Sequence, residues 1–179
     1  MKKSSNEILS IFYRYLLLIA LPLGGLWLFY FVFTPLTVYP VYFLFNYFFG
    51  ATLDKTTVYV GLVPIELIKA CIAGSAYYLL LIFNLSTPNI KINQRLKMLF
   101  FAFLIFLVVN ILRIFVLGIL YMAGSPLFDI IHRLSWYAGS VALIVAIWFY
   151  QVKAYKLKEI PAYSDLKFLY RNSLLTKRK

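Results

Sequence analysis

Between Met98 and Tyr121 the chain runs for 24 residues with a single charge, Arg113, set in the stretch LFFAFLIFLVVNILRIFVLGIL. About 20 consecutive apolar residues match the hydrocarbon thickness of a bilayer, so the run reads as a transmembrane helix. An arginine near the centre of such a helix costs roughly 2.5–3.5 kcal/mol on translocon-derived scales. A chain keeps such a residue when it has a partner or a job. Asn110 lies three residues earlier on the same helix face.

Composition extends this reading to the whole chain. Of its 179 residues, 63% are hydrophobic, against about 45–50% in soluble domains. The expected fold is all-α: a polytopic membrane helical bundle of about four transmembrane helices, with an outer interfacial or re-entrant aromatic segment. Residues 1–150 form the single expected membrane domain, and 151–179 a basic cytoplasmic tail. The net charge of +12 is not a nucleic-acid signal here. Lys and Arg gather at the two ends and in one loop, as cytoplasmic flanks do. Cys71 is the one cysteine, which excludes an internal disulfide.

Along the chain, Ile11–Phe33 is the first expected span. Pro22, Gly24 and Gly25 interrupt it, predicting a kink or a close packing contact. The run lacks a small-residue cleavage site and is too long for a signal-peptide core, so it reads as an uncleaved helix. Leu36–Gly50 is short for a span and rich in Tyr and Phe, which favours a membrane interface; a tilted second span is the rival reading. Thr56–Val63 is β-branched and suits a short strand or extended segment. Pro64 suits the first position of the next helix, which runs to about Phe83 and carries Cys71. A polar loop with Lys91, Arg95 and Lys97 leads to the Met98–Tyr121 span. A turn at Gly124 and Pro126 leads to the last span, Phe128–Tyr150, which begins with Asp129, His132 and Arg133. The stretch LKFLYRNSLL in the tail suits the inner membrane surface.

With four spans and the N-terminus inside, 14 of the 18 Lys and Arg residues fall on the inner side. Only Lys55, Lys69, Arg113 and Arg133 fall elsewhere, as the positive-inside rule requires. A fifth span at Leu36–Gly50 would invert this. The expected protein is therefore a multi-pass plasma-membrane protein with both termini cytoplasmic. At ~1.5 Å per residue, Cys71 lies about 10 Å below the outer face, Arg113 about 12 Å and His132 about 6 Å. All three fall in the outer half of the bilayer.

That convergence defines the candidate chemistry. Thiolate is the nucleophilic form of cysteine and is favoured by a nearby cation. Arg113 is always charged, and His132 carries protons near neutral pH. Together they suit acyl transfer: Cys71 attacks a carbonyl, His132 shuttles the proton, and Arg113 stabilises thiolate or oxyanion. Asn110 and Asp129 are candidate orienting groups, and Asp129 and Arg133 are spaced to pair. Each residue also has a plainer reading: Cys71 as a small buried apolar residue, Arg113 as a structural partner of Glu66 or Asp129, His132 as an interface residue. Glu66 and Lys69 are spaced as a surface pair, and Tyr77 and Tyr78 as packing.

The stretches VPIELIKACIAGSAYYLLLI, VVNILRIFVLGIL and FDIIHRLSWYAGSVALIVAIW resemble the core of the exosortase/archaeosortase family, multi-pass membrane cysteine transpeptidases. Cys71, the Asn110-to-Arg113 motif and His132 fill the family's three positions in order, over roughly residues 56–150. Ile72 and Ala73 precede Gly74 where the family often has Ser or Thr and then Gly. The chain has fewer spans than many members, so it looks like a core-only version, and its Cys-Ile-Ala-Gly-Ser run looks more like the small archaeal members. The third position is His in typical exosortases and Arg in many archaeosortases, which leaves His132 and Arg133 both open.

The resemblance implies a sorting enzyme with catalytic Cys71, Arg113 and His132, supported by Asn110, Asp129 and Arg133, needing no cofactor or metal. Its partners would be surface proteins with a tripartite C-terminal sorting signal and a membrane lipid acceptor, with no nucleic acid. Such an enzyme cleaves at the outer face through a thioacyl intermediate on Cys71. Two rivals remain open: a small transporter or assembly partner in which Arg113 lines a polar path or binds a lipid headgroup, and an enzyme of the same site acting on lipid.

Overall fold

The computed structural model describes the backbone of residues 2–172 and the side chains of residues 7–171. The side chains of Lys2, Lys3, Lys177, Arg178 and Lys179, and the end of the LKFLYRNSLL stretch, lie outside the described residues. The chain forms helices α1 (Lys2–Leu23) and α2 (Trp27–Phe49), strands β1 (Thr52–Asp54), β2 (Thr57–Val60) and β3 (Val63–Glu66), and then helices α3 (Lys69–Ile72), α4 (Gly74–Leu85) and α5 (Ile92–Met122). Helices α6 (Phe128–Leu134) and α7 (Ser140–Ala154) are joined through a π-helical turn at Ser135–Gly139, and α8 (Tyr163–Asn172) follows. The architecture is an all-α bundle with one small sheet at its end. Among the described residues, α2, α5 and the continuous Phe128–Ala154 helix are long and apolar enough to cross a membrane, and Lys69–Leu85 is a shorter apolar helix.

Two expectations are corrected at the N-terminal side. The first span is not Ile11–Phe33, and Leu36–Gly50 is not a separate interfacial or re-entrant segment. Pro22 and the Gly24–Gly25 pair stop α1, and Gly25 and Leu26 turn the chain at φ of 64° and 59°. The helix that restarts at Trp27 absorbs the aromatic segment whole. Pro35 and Pro40 lie inside α2, each removing one backbone hydrogen bond without ending the helix. In place of the four expected spans there are three helices long and apolar enough to cross a membrane and the shorter Lys69–Leu85 helix, among the described residues. The kink expected near Pro22 is present, as the break between α1 and α2.

The third correction concerns Pro64, which sits in β3 rather than opening a helix; the helix starts at Lys69. The sheet is antiparallel in the order β1-β2-β3, with Val58 opposite Ile65 and Val60 opposite Val63. Gly61, at φ 59°, makes the two-residue turn, where primed turns need a positive φ. The Leu67 N–H donates to the Thr56 carbonyl at 2.9 Å, which fixes the parity of the ladder. Residues 63, 65 and 67 bond β2, so Pro64 and Glu66 face the free edge. An outward-facing edge position is where a strand tolerates proline.

The core explains the rest. On α5, Met98, Ala102, Phe106, Asn110, Ile114 and Gly118 are buried at four-residue spacing, the inward stripe of a helix. Leu96, Phe100, Leu104, Val108, Leu112 and Val116 are exposed on the opposite face, as lipid contact requires. Tyr77 is fully buried, stacked on Phe33 and edge-on to Phe103 and Phe106, so it is packing, as its spacing suggested.

Gly118 lets α2 approach α5: a Cβ there would stand 2.5 Å from the ring tip of Phe45, a side chain with no exposure. Gly118→Ala is expected to destabilise the bundle by about 1–3 kcal/mol through overpacking, read as a lower thermal-unfolding midpoint in detergent.

Candidate active site

A cleft of about 690 Å³ opens between strands β2 and β3, the chain from Glu66 to Cys71, the C-terminal part of α5, and α6. Cys71, Arg113 and His132 all line it. Thr57 and Tyr59 of β2 and their cross-strand partners Glu66 and Pro64 of β3 also line it, with Ile65.

Local structure presents each side chain. Cys71 is half-buried in the single turn of α3, its N–H bonded to the Ile68 carbonyl at 2.9 Å. The helix breaks just after it, because Ala73 takes the left-handed conformation at φ 58°, which costs a non-glycine residue about 1–2 kcal/mol. At Gly74 a Cβ would stand 2.9 Å from the Tyr30 ring, so that position is confined to glycine by the approach of α2. With the helix interrupted, the Cys71 carbonyl accepts a hydrogen bond from Asn110 Nδ2 at 2.9 Å. Asn110 is 2% exposed; it fixes the cysteine's backbone rather than touching the sulfur. Because α3 starts at Lys69 and not at Pro64, Cys71 stands near the mouth of the helix, not seven residues inside it.

Arg113 is half-buried beside the inward stripe of α5. Its Nη1 donates to Ser140 Oγ at 2.8 Å and to the Ser135 carbonyl at 3.4 Å. The π turn makes this possible: the Ser135 carbonyl accepts the Ser140 N–H five residues on, and the widened turn brings Ser135 and Ser140 toward Arg113. Such π turns recur at functional sites. Among the described residues no carboxylate pairs with Arg113, and the ion pair present is Arg14–Asp165. The structural pairing of Arg113 with Glu66 or Asp129 is therefore not formed; both carboxylates are exposed, and Asp129 lies outside the cleft lining. Two buried polar atoms here have no protein partner, Asn110 Oδ1 and Arg113 Nε.

His132 is exposed at the rim, its ring stacked on Phe128 at 5.2 Å. Arg133 and Asp129 are exposed and do not line the cleft. They form no ion pair with each other, and neither do Glu66 and Lys69; the Lys69 ammonium instead lies 5.5 Å from the Tyr30 ring centre. The sequence reading missed Glu66 as a cleft residue, and missed Ser140 and Ser135 as the anchor of Arg113. No sequence signal links Arg113 to a serine 27 positions away.

Set against protein-family models, curated proteins and solved structures, the chain matches none.

The arrangement holds a thiol, a fixed guanidinium and an imidazole around one open cleft, with backbone hydrogen-bonding groups along its side. Ser140→Ala removes the one side-chain partner of Arg113. It is expected to cost about 1 kcal/mol of stability and to slow alkylation of Cys71 severalfold, less than Arg113→Ala does, in rates measured on the purified protein.

Proposed function

We propose that the chain is a membrane cysteine transpeptidase or protease of the exosortase/archaeosortase kind, cleaving the C-terminal sorting signal of surface proteins. One observation supports this reading: three chemically complementary side chains, distant in sequence, line one cleft. In the proposed reaction His132 takes the Cys71 thiol proton as the sulfur attacks the scissile carbonyl carbon. The carbonyl oxygen becomes an oxyanion facing Arg113, the fixed positive charge such an intermediate needs in a water-poor site. His132 delivers a proton to the amide nitrogen, the C–N bond breaks, and the C-terminal fragment leaves as an amine. The thioacyl group on Cys71 is then attacked by a lipid or other acceptor, whose proton His132 takes as the C–S bond breaks and the thiol is restored. The free edge of β3 is placed to hold the substrate as an added strand through the Glu66 backbone. The loop charges support a plasma-membrane orientation with both termini cytoplasmic and the cleft facing outward.

Labelling of intact cells with a membrane-impermeant maleimide tests this, because Cys71 is the single cysteine. Wild type is expected to label from outside, and Arg113→Ala and His132→Ala to label roughly tenfold more slowly, the effect of about 1.4 kcal/mol. Labelling that needs permeabilised cells, or equal rates in all three, overturns the proposal.

A further inference from the structure

A second cavity, of about 720 Å³, lies at the far end of the bundle, where α4 stops and α5 begins. Two buried charged groups, Arg95 and Asp165, and the half-buried Arg14 line it. Arg14 Nη2 pairs with Asp165 Oδ1 at 2.8 Å, and Tyr15 Oη donates to Asp165 Oδ2 at 3.2 Å, so the one buried carboxylate is taken. Arg95 is 7% exposed, and its guanidinium bonds only backbone carbonyls, those of Asn84 and of Thr87 at 2.9 Å. The C-terminus of α4 offers these groups about half an elementary negative charge, which leaves the buried cluster positive. A buried charge without a matching anion is costly.

The rim adds to the imbalance. Lys158, Lys167 and Arg171 line the cavity against Glu7 and Glu159, and Glu159 already accepts a hydrogen bond from Asn89 at 3.4 Å. The α5 helix begins beside it with no side-chain cap and no acidic residue in its first turn, so its free amides also favour an anion.

We infer that this cavity is a binding site for a phosphate-bearing anion, supplied by an anionic phospholipid headgroup or by free phosphate. The buried Arg95 is the anchor and the three rim cations complete the neutralisation. The site is independent of the chemistry at Cys71 and stands whether or not that chemistry is transpeptidation.

The test uses the purified full chain in nanodiscs of phosphatidylcholine alone, of phosphatidylcholine with phosphatidylglycerol, and of phosphatidylcholine with added inorganic phosphate. Thermal unfolding and the phosphatidylglycerol retained in native mass spectrometry are read for each. Phosphatidylglycerol is expected to stabilise the protein and to be retained. The triple variant Lys158→Ala, Lys167→Ala, Arg171→Ala should retain roughly tenfold less, a loss of about 1.4 kcal/mol. It keeps Arg14, Arg95 and Asp165, so it tests the site even where Arg95→Gln fails to fold. Stabilisation by inorganic phosphate in neutral discs, lost in the triple variant, supports the same site with a soluble source. The exposed pair Lys153 and Lys156, which do not line the cavity, serve as control. No stabilisation by either anion, or equal loss in Lys153→Ala, Lys156→Ala, overturns the inference.

Discussion

Cells carrying Cys71→Ala are expected to leave surface proteins with their C-terminal sorting signals uncut, while the variant folds and accumulates as wild type does. The expected loss is complete within detection, because no other thiol exists in the chain and removal of a covalent nucleophile collapses the reaction it starts. Folding should be spared, because Cys71 is only half-buried at the cleft and its tertiary anchor is its backbone carbonyl on Asn110. Mass spectrometry of surface-protein C-termini from wild-type and variant cells checks the first part, and the thermal midpoint of the purified variant the second. Cys71→Ser should fail almost as fully, since an alcohol in the same place lacks the thiolate form. Arg113→Ala should retain a trace, with a rate lowered by about 10²–10³, the usual cost of losing one charge-stabilising donor.

The second large effect is on folding. Asp165→Asn removes the carboxylate that Arg14 pairs with, on a side chain only 3% exposed. Arg14 and the buried Arg95 then share a site with no anion, and loss of one partner from a buried pair costs about 3–5 kcal/mol. The variant is expected to unfold at a markedly lower temperature in detergent. Because the cost lies in the orphaned charge, adding Arg14→Ala should recover part of it, so the double variant is less damaged than the sum of the singles. Additive losses would show that the pair is not coupled.

Much of this molecule was legible in its sequence, for reasons of length and spacing. The α5 helix declared itself because a long apolar run has few alternatives, and the i, i+3 spacing of Asn110 and Arg113 put both near one side of it. The gathering of Cys71, Arg113 and His132 followed from counting residues from helix ends, although the count for Cys71 started from the wrong residue. Pro64 satisfies a helix start and an edge strand equally well, and only the ladder parity set by Leu67 and Thr56 separates them. The α2 helix was hidden because its first residues, 27–33, continue the apolar run of α1, while two internal prolines look like stops. Pro35, exposed, and Pro40, half-buried, each cost one backbone hydrogen bond and leave the helix continuous. The support of Arg113 by Ser140 depends on a π turn, a one-residue insertion in hydrogen-bond register that hydropathy does not encode. The Arg14–Asp165 pair joins residues 151 positions apart, a distance at which sequence periodicity is silent.

The account turns on Cys71 forming a covalent bond to substrate, and that bond can be weighed. Acid quenching during turnover should trap the thioacyl form, so intact-mass analysis of the wild-type protein purified from its own cells is the direct measurement. A fraction of the chain is expected to be heavier by a peptide chain, mapped to Cys71 and released by hydroxylamine. Cys71 recovered solely as a free thiol, in cells whose surface proteins are still being cut, would contradict it.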